Sequence, residues 1–296
     1  MRRRTFLAGA GASLATAVSA RVPAPFGGKR FRAEVAALGT AAQGRLGVAI
    51  IDTGSGMRFR MRASERFPMC STFKATLAAA VLARVDAGEE RLRRAVPVTS
   101  ADLVAYSPFA ETRVGHDATV GELCAAAVGL SDNAAANLLL SAIGGPAALT
   151  RFLRQMRDHI TRLDRTEPSL NTAIPGDSRD TTTPAAMAWT LHRLTLGDAL
   201  APASRAQLIA WMTAATTGGK RLRAGLPPGW RVADKTGTGA QGTNNVIGLL
   251  WPRRGAAPLV VTSYLTGSSL PDADKDAIHA GLARAIAREV DAIYPT

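Results

Sequence analysis

The sequence predicts an α/β (α+β) fold in which an antiparallel sheet, flanked by N- and C-terminal helices, is built from both ends of the chain. Short runs rich in β-branched residues occur before residue 65 and again after residue 230. Helical signals fill the stretch between them, from residue 71 to about 212. We therefore assign residues 27–65 and 213–296 to an α/β lobe and residues 66–212 to an inserted all-helical lobe, with the active site between the lobes.

The N-terminal part of the α/β lobe is predicted to contain one helix and one hairpin. Residues 30–42 have a helical pattern. The segments LGVAIID and MRFRMRA alternate like strands and are joined by Thr53-Gly-Ser-Gly56, a glycine-containing turn.

Helix-boundary residues divide the inserted lobe into several helices. They are a capping box at Thr119 and Glu122, a helix end at Gly144-Gly145, and helix starts at Pro146 and Pro184. Strands return in WRVADKT, VIGLLW and LVVTSYL, with a turn at residues 252–255. A final amphipathic helix is predicted over residues 272–293.

The composition excludes some classes of function. The 296-residue chain has a net charge of +13, but only five of its 36 basic residues are lysine, so 36 − 5 = 31 are arginine. These arginines are scattered without interleaved aromatic residues, which does not favour nucleic-acid binding. The four histidines, at positions 116, 159, 192 and 279, lack the spacing of metal ligands. We predict no metal and no cofactor.

The first twenty residues, MRRRTFLAGAGASLATAVSA, have the basic start, apolar centre and small-residue end of an export signal. Arg3-Arg4-Thr5-Phe6-Leu7 resembles the twin-arginine signal. The alternative is an N-terminal membrane helix, for which the apolar run is too short. The sequence therefore predicts an exported, periplasmic or secreted protein, cleaved near Ala20, with no stable membrane anchor and a mature charge of 13 − 3 = +10.

Residues 69–77 read MCSTFKATL and place Ser71 three residues before Lys74 at the start of a helix. This spacing puts the hydroxyl and the amine on one helical face, within reach of each other. The pair is either a solvated surface pair or a nucleophile with an amine that takes its proton. The apolar stripe of the same helix consists of Phe73, Leu77, Val81 and Leu82.

Two further motifs come from the two predicted lobes. Ser131-Asp132-Asn133 lies at a helix start, and Lys235-Thr236-Gly237 lies on the first returning strand. By composition alone these tripeptides are expected about 0.01 and about 0.04 times in such a chain, whereas Ser-x-x-Lys is expected about 0.25 times. A site between the lobes would draw on all three.

These three motifs are the signature of class A β-lactamases and penicillin-binding proteins, and the mature chain resembles a class A β-lactamase over essentially its whole length. Arg165-Thr-Glu-Pro-Ser-Leu-Asn171, followed by Asp180, matches the Ω-loop of that family, here residues 165–180. The alternative interpretation of this segment is a polar surface loop in which Glu167 is merely solvated.

The resemblance implies a role for each catalytic group. Ser71 attacks the amide after Lys74, or Glu167 through a water, takes its proton. Ser131 relays a proton to the leaving nitrogen, and the backbone amides of Ser71 and Thr238 hold the oxyanion. Glu167 and Asn171 then direct water at the acyl-enzyme.

The resemblance also implies a set of substrate-binding residues. Asn133 is expected to bind the side-chain amide of the substrate, and Tyr106 to form a wall of the cleft unless it is a core tyrosine. The substrate carboxylate is expected to lie against Lys235, Thr236, Gly237 and Thr238.

Many class A enzymes carry an arginine on the strand after Lys-Thr-Gly, where this chain has Asn244. Some relatives that lack it supply the guanidinium from a residue fourteen before the motif lysine, which here is Arg221. The alternative is a solvated arginine between Lys220 and Arg223. We expect substitution of Arg223 to have little effect on catalysis.

Cys70 and Cys124 are the only cysteines. Carbapenem-hydrolysing relatives pair a cysteine at the first position with one just beyond Lys-Thr-Gly, which is Gly239 here, and other relatives pair the second position with the one occupied by Ala78. We therefore predict two free thiols.

The predicted function is hydrolysis of the β-lactam amide of penicillin- and cephalosporin-type antibiotics by a monomer whose partner is the small-molecule substrate, with no nucleic acid. Two alternatives remain open. A penicillin-binding DD-peptidase would share Ser71, Lys74, Ser131 and Lys235 but gain nothing from Glu167 with Asn171. A non-turnover β-lactam sensor would stop after acylation, and it normally needs a membrane tether.

Overall fold

The structure is a computed structural model that describes residues 26–252 and 257–294. The predicted export signal at residues 1–20 lies outside the described residues, as do residues 253–255 of the predicted turn.

The strands of the described chain form one large sheet and two short ladders. In chain order they are β1 Arg45–Asp52, β2 Arg58–Met61, β3 Phe67–Pro68, β4 Ala95–Val98, β5 His116–Thr119, β6 Thr181–Thr182, β7 Arg231–Gly239, β8 Thr243–Trp251 and β9 Leu259–Thr266.

The large sheet is antiparallel throughout, with the strand order β2-β1-β9-β8-β7. The predicted hairpin is confirmed, since Ile50 of β1 lies opposite Phe59 of β2. β1 also pairs with β9, where Val48 faces Ser263, so both ends of the chain contribute to the centre of the sheet. β7, which carries Lys-Thr-Gly, forms the edge of the sheet opposite β2. The antiparallel sheet flanked by helices confirms the predicted fold class.

Helices cover both faces of the large sheet. They are α1 Lys29–Ala41, α2 Phe73–Asp86, α3 Val120–Gly129, α4 Asn133–Ile143, α5 Pro146–Gln155, α6 Pro184–Thr195, α7 Pro202–Thr213, α8 Leu222–Gly225 and α9 Asp272–Ile293. The helix-boundary predictions are confirmed. Thr119 and Glu122 form a capping box, Gly144 ends α4 in the left-handed conformation, and prolines begin α5 and α6.

Two hydrophobic cores hold the layers together. The smaller core lies between the sheet and the helices α1 and α9, where Phe31 and Val35 are buried with Leu282 and Ile286. The larger core joins the other face of the sheet, through α6, to the helices α2 to α5 and α7. Because both faces are covered, every residue of β9 is buried.

Helix α2 is buried on all sides over its first ten residues, Phe73 to Leu82. The predicted apolar stripe is part of this burial, and four alanines, Thr76 and Lys74 fill the remaining faces of this stretch. A helix surrounded by protein has little freedom to shift, so it fixes the position of Ser71 at its N-terminal end.

Both cysteines of the chain are buried and unpaired in the described structure. A β-carbon added at Gly239 would lie 2.6 Å from Cys70 Sγ, so the two positions are neighbours although only one holds a thiol. Burial raises the pKa of the Cys70 thiol to about 12, which keeps it protonated and unreactive.

Within residues 26–252 and 257–294, no single helix is both long and apolar enough to cross a membrane. The pair α4 and α5, bent by 69° at their junction, would meet the requirement only if taken together.

Candidate active site

Ser71 and Lys74 lie at the junction of a 3₁₀ turn, Cys70–Thr72, with α2. Lys74 is fully buried, and its Nζ donates hydrogen bonds to Ser71 Oγ at 3.0 Å and to the backbone oxygen of Ser131 at 2.8 Å. It also donates to Asn133 Oδ1 at 2.5 Å. The interpretation of Ser71 and Lys74 as a solvated surface pair is therefore wrong.

Glu167 completes this cluster from the other side. Ser71 Oγ donates to Glu167 Oε1 at 3.1 Å, and the same oxygen lies 3.0 Å from Lys74 Nζ. Asn171 Nδ2 donates to the second carboxylate oxygen of Glu167. Glu167 is only 3% exposed, so its interpretation as a solvated loop residue is wrong as well.

Asn137 holds the backbone of Glu167 and was not identified from the sequence. Its Oδ1 accepts from the amide of Glu167 at 2.9 Å, and its Nδ2 donates to the carbonyl of the same residue at 2.9 Å. Asn137 lies one turn after Asn133 on α4, so the two side chains share a helical face. The spacing of four residues from Asn133 was the feature of the sequence that could have identified Asn137 as a site residue.

The ends of the loop from 165 to 180 are joined by an ion pair. Arg165 Nε donates to Asp180 Oδ2 at 2.6 Å, and Asp180 Oδ1 accepts from the amides of Asp164 and Arg165. Asp180 is fully buried. The loop is therefore closed at its base, and Glu167 and Asn171 lie between the closed ends.

Ser131 and Asn133 are positioned by the residue between them. Asp132 caps α4 by accepting from the amide of Ala135 at 2.8 Å, and its other oxygen accepts from the amides of Phe109 and Ala110. Ser131 has a positive φ of 63°, and its Oγ accepts a hydrogen bond from Lys235 Nζ at 2.9 Å.

β7 brings the Lys-Thr-Gly motif against the start of α2. A β-carbon at Gly237 would lie 2.7 Å from the carbonyl oxygen of Met69, so glycine is needed for this approach. The hydroxyls of Thr236 and Thr217 are hydrogen bonded to each other at 2.6 Å. Thr217 is thus a second site residue, after Asn137, that was not predicted from the sequence.

Two buried lysines thus face one small region of the site. Burial lowers the pKa of the Lys74 ammonium, although the neighbouring Glu167 carboxylate opposes this effect. Burial lowers the pKa of Lys235 well below 10.5, and the positive charge of Lys74 lowers it further. Each lysine is therefore closer to losing its proton at neutral pH than an exposed lysine.

Arg221 is buried beside the Lys-Thr-Gly strand rather than solvated. Its Nη2 donates to Thr238 Oγ1 at 2.8 Å and its Nη1 to the carbonyl of Gly237 at 3.0 Å. Asp276 of α9 accepts from Arg221 Nε at 2.8 Å and from Asn244 Nδ2 at 3.0 Å. The guanidinium is therefore fixed on three sides, with only 7% of the residue exposed.

Arg223, in contrast, does not reach the cleft. Its guanidinium lies 2.6 Å from Asp234 Oδ1 and also donates to the carbonyls of Met212 and Thr213 at the end of α7. Asp234 is fully buried. The expectation that substitution of Arg223 has little effect on catalysis stays a prediction, but the substitution would leave a buried carboxylate without a partner and so affect stability.

A cleft of about 350 Å³ opens in front of these groups. Tyr106, which is 60% exposed, lies at its rim, so the core-tyrosine alternative is wrong. The cleft is lined by Ser71, Tyr106, Ser131, Asn133, Asn171, Thr217, Arg221, Thr236, Gly237 and Thr238. Lys74, Glu167 and Lys235 lie directly behind this lining.

The described residues contain no group of three histidine, cysteine, aspartate or glutamate side chains arranged to hold a metal ion. The cleft offers instead a hydroxyl in contact with an amine and a carboxylate, next to a cationic wall. Such an arrangement is suited to acyl transfer from an anionic substrate.

Residues 30–290 match the family model described as the beta-lactamase enzyme family, and the chain belongs to that family. It is 46% identical over 281 residues to beta-lactamase L2 of Stenotrophomonas maltophilia, covering 91% of this chain and 93% of that one. It is 51% identical to beta-lactamase CTX-M-8 of Citrobacter amalonaticus over 233 residues, 79% of this chain and 80% of the other.

Solved structures place the similarity in class A. An ancestral class A β-lactamase superposes with a TM-score of 0.86 at 60% identity, covering 87% of this chain and 99% of the other. A putative class A β-lactamase from Rhodopseudomonas palustris gives 0.85 at 55% identity, covering 88% and 99% of the two chains. The resemblance to class A enzymes is thereby confirmed.

Proposed function

We propose that the chain hydrolyses the β-lactam amide of penicillin- and cephalosporin-type antibiotics through an acyl-enzyme on Ser71, and thereby confers resistance to them. Its membership of the β-lactamase family supports the reaction. The observation that carries the mechanism is the contact of Ser71 with both Lys74 and Glu167, at 3.0 and 3.1 Å.

Acylation begins with removal of the proton from Ser71 Oγ. Lys74 and Glu167 both lie within hydrogen-bonding distance of this oxygen, so either group can accept the proton, directly or through a water. The lowered pKa of Lys74 favours its neutral form, which is the form that acts as a base. Attack on the carbonyl carbon then forms a tetrahedral oxyanion, which accepts hydrogen bonds from the amides of Ser71 and Thr238.

Opening of the ring requires a proton on the leaving nitrogen. Ser131 supplies it, because its hydroxyl lines the cleft and contacts Lys235 Nζ at 2.9 Å. The nitrogen gains the hydroxyl proton, and Lys235, or Lys74 through the same network, restores it. Among the other aliphatic hydroxyls of the lining, that of Ser71 is the nucleophile and those of the threonines belong to the carboxylate site.

The carboxylate of the substrate binds at the opposite wall. Thr236 and Thr238 offer hydroxyls there, Gly237 allows close approach, and Lys235 and Arg221 supply positive charge. Asn133 is available at the other end for the acylamino side chain of the substrate, and Tyr106 covers the entrance.

Hydrolysis of the acyl-enzyme requires an activated water. Glu167 and Asn171 are hydrogen bonded to each other next to Ser71, so a water between them and the ester is held and deprotonated. A DD-peptidase or a non-turnover sensor would have no use for this pair. Turnover of a chromogenic cephalosporin tests the proposal, because only a hydrolase releases many product molecules per protein, whereas a sensor releases one.

We further propose that residues 1–20 direct export of the protein by the twin-arginine route and that the mature enzyme acts as a monomer. Replacing Arg3 and Arg4 with lysine should retain the precursor in the cytoplasm. Unchanged activity outside the cytoplasm would indicate the general secretory route instead.

A further inference from the structure

A second charged surface surrounds Trp189 of α6, and none of its residues lines the cleft. We call it the Trp189 face and define it by Arg58, Arg60, Arg157, His159, Ile160 and Trp189. All six side chains are exposed, and all six line two adjoining grooves of about 370 and 160 Å³ that share Trp189 and Arg60. This cluster could not be predicted from the sequence, because its members come from three distant segments of the chain.

The positive charge of this face is not neutralised within the described part of the protein. Arg58, Arg60, Arg157 and His159 form no ion pair there, although most of the molecule's ion pairs involve arginine. The one carboxylate that lines the grooves is Asp158. It is buried and already accepts hydrogen bonds from the amides of Ile160 and Thr161 and from the hydroxyl of Thr190.

The ring of Trp189 is stacked on a histidine and surrounded by positive charge. It stacks on His192 at 6.0 Å with an interplanar angle of 12°, and the Arg58 guanidinium lies 6.0 Å from the ring centroid. Burial lowers the pKa of His192, and the positive charges of Arg58 and Arg193 lower it further, which agrees with an excess of positive charge around the ring. Trp189 is nevertheless 40% exposed, and Ile160 beside it is 38% exposed.

We propose that the Trp189 face is a peripheral docking surface for an anionic phospholipid bilayer. Guanidinium groups bind headgroup phosphates, and an indole with an adjacent aliphatic side chain fits the boundary between headgroups and acyl chains. A soluble polyanion would use the arginines but would gain nothing from Ile160. β2, which carries Arg58 and Arg60, is the sheet edge opposite β7, so a docked protein keeps its cleft free.

Vesicle sedimentation and quenching test this proposal on the full chain. We expect binding to vesicles rich in phosphatidylglycerol and none to pure phosphatidylcholine, with binding weakened by added salt. Brominated phosphatidylglycerol should quench Trp189, measured as the difference between the parent protein and Trp189→Phe. Residues 1–20 contain no tryptophan, so lipid contact by that segment does not contribute to this signal.

Matched pairs of substitutions distinguish binding through the Trp189 face from a general effect of the protein's net charge. Arg58→Ala with Arg60→Ala should lower vesicle partitioning about thirtyfold, whereas Arg91→Ala with Arg93→Ala, two exposed arginines between α2 and β4, should leave it nearly unchanged. The midpoint of urea unfolding checks that each variant is folded. Equal losses in both pairs, no quenching of Trp189, or capture by soluble polyphosphate without vesicle binding would each overturn the proposal.

Discussion

Asn137 and Glu167 exchange two hydrogen bonds, both 2.9 Å long, through which the side-chain amide of one holds the backbone of the other. The carboxylate of Glu167 is therefore positioned by helix α4 as well as by its own loop. The same helix begins with Ser131-Asp132-Asn133, so the groups proposed for acylation and those proposed for deacylation have a common support.

Removing the Glu167 carboxylate should stop deacylation much more than acylation. In Glu167→Ala, Lys74 remains to activate Ser71, but the ester then lacks the base that activates water. Mass spectrometry after mixing with a penicillin should show a stable increase equal to the mass of the drug. Turnover at the parent rate would contradict the role given to Glu167.

Weakening the support of Glu167 should give a milder form of the same defect. Asn137→Ala removes both hydrogen bonds, and at about 0.5–1.5 kcal/mol each we expect deacylation to slow about tenfold. Single-turnover kinetics should show acylation changed much less. A variant in which both steps slow equally would indicate general damage to the site rather than a displaced Glu167.

Arg221→Ala should reduce kcat/KM about ten- to a hundredfold, as expected for loss of about 1.5–3 kcal/mol from a hydrogen bond to a charged group. The loss should appear for substrates that carry the carboxylate and shrink for an esterified substrate. Lys220→Ala is the matched control, because Lys220 is adjacent but exposed. Equal effects of the two substitutions would leave the carboxylate to Lys235 and the threonines alone.

Arg223→Ala should destabilise the protein by about 3 kcal/mol, because the buried Asp234 carboxylate loses its ionic partner. Burial already raises the pKa of Asp234, and Arg223 opposes that shift. Urea unfolding measures the change, and Asp234→Asn in the Arg223→Ala background should restore part of the stability. Independent, additive effects of the two substitutions would contradict the pairing.

His279 should make the protein sensitive to acid. Burial, and then the charge of Arg221, lower its pKa from 6.5 to about 3. Below pH 6.5 His279 is therefore protonated in the unfolded chain but stays neutral in the folded protein. The free energy of unfolding then falls by about 1.4 kcal/mol per pH unit until the pH approaches 3. Urea unfolding between about pH 7 and about pH 4 should show a shallower loss for His279→Gln. Parallel curves would contradict this assignment.

The parts of the site that could be predicted are those with a local signal. Ser71 with Lys74, Ser131 to Asn133 and Lys235 to Gly237 were each found as short motifs, and helix caps such as Thr119 with Glu122 were read from spacing alone. Asn137 had only a weak signal, its distance of four residues from Asn133. Contacts between residues that are distant along the chain had no signal in the sequence.

Arg221 and Arg223 illustrate why contacts between distant parts of the chain could not be predicted. Both stand in one short basic segment, GGKRLRAGLP, and nothing local distinguishes them. Arg221 meets Asp276 of the last helix, and Arg223 meets Asp234 of β7. Which arginine reaches the cleft is decided by tertiary contacts with elements that lie 11 to 55 residues away along the chain.

The pairing of β1 with β9 has a consequence for the synthesis of the protein. Arg45 lies opposite Thr266, 266 − 45 = 221 residues later, so the ribosome must release most of the chain before the first strand has its central neighbour. Until then the apolar residues of β1, such as Val48 and Ile50, remain uncovered and are open to chaperones and proteases. Translation that stops before residue 259 therefore yields a fragment that cannot close its sheet.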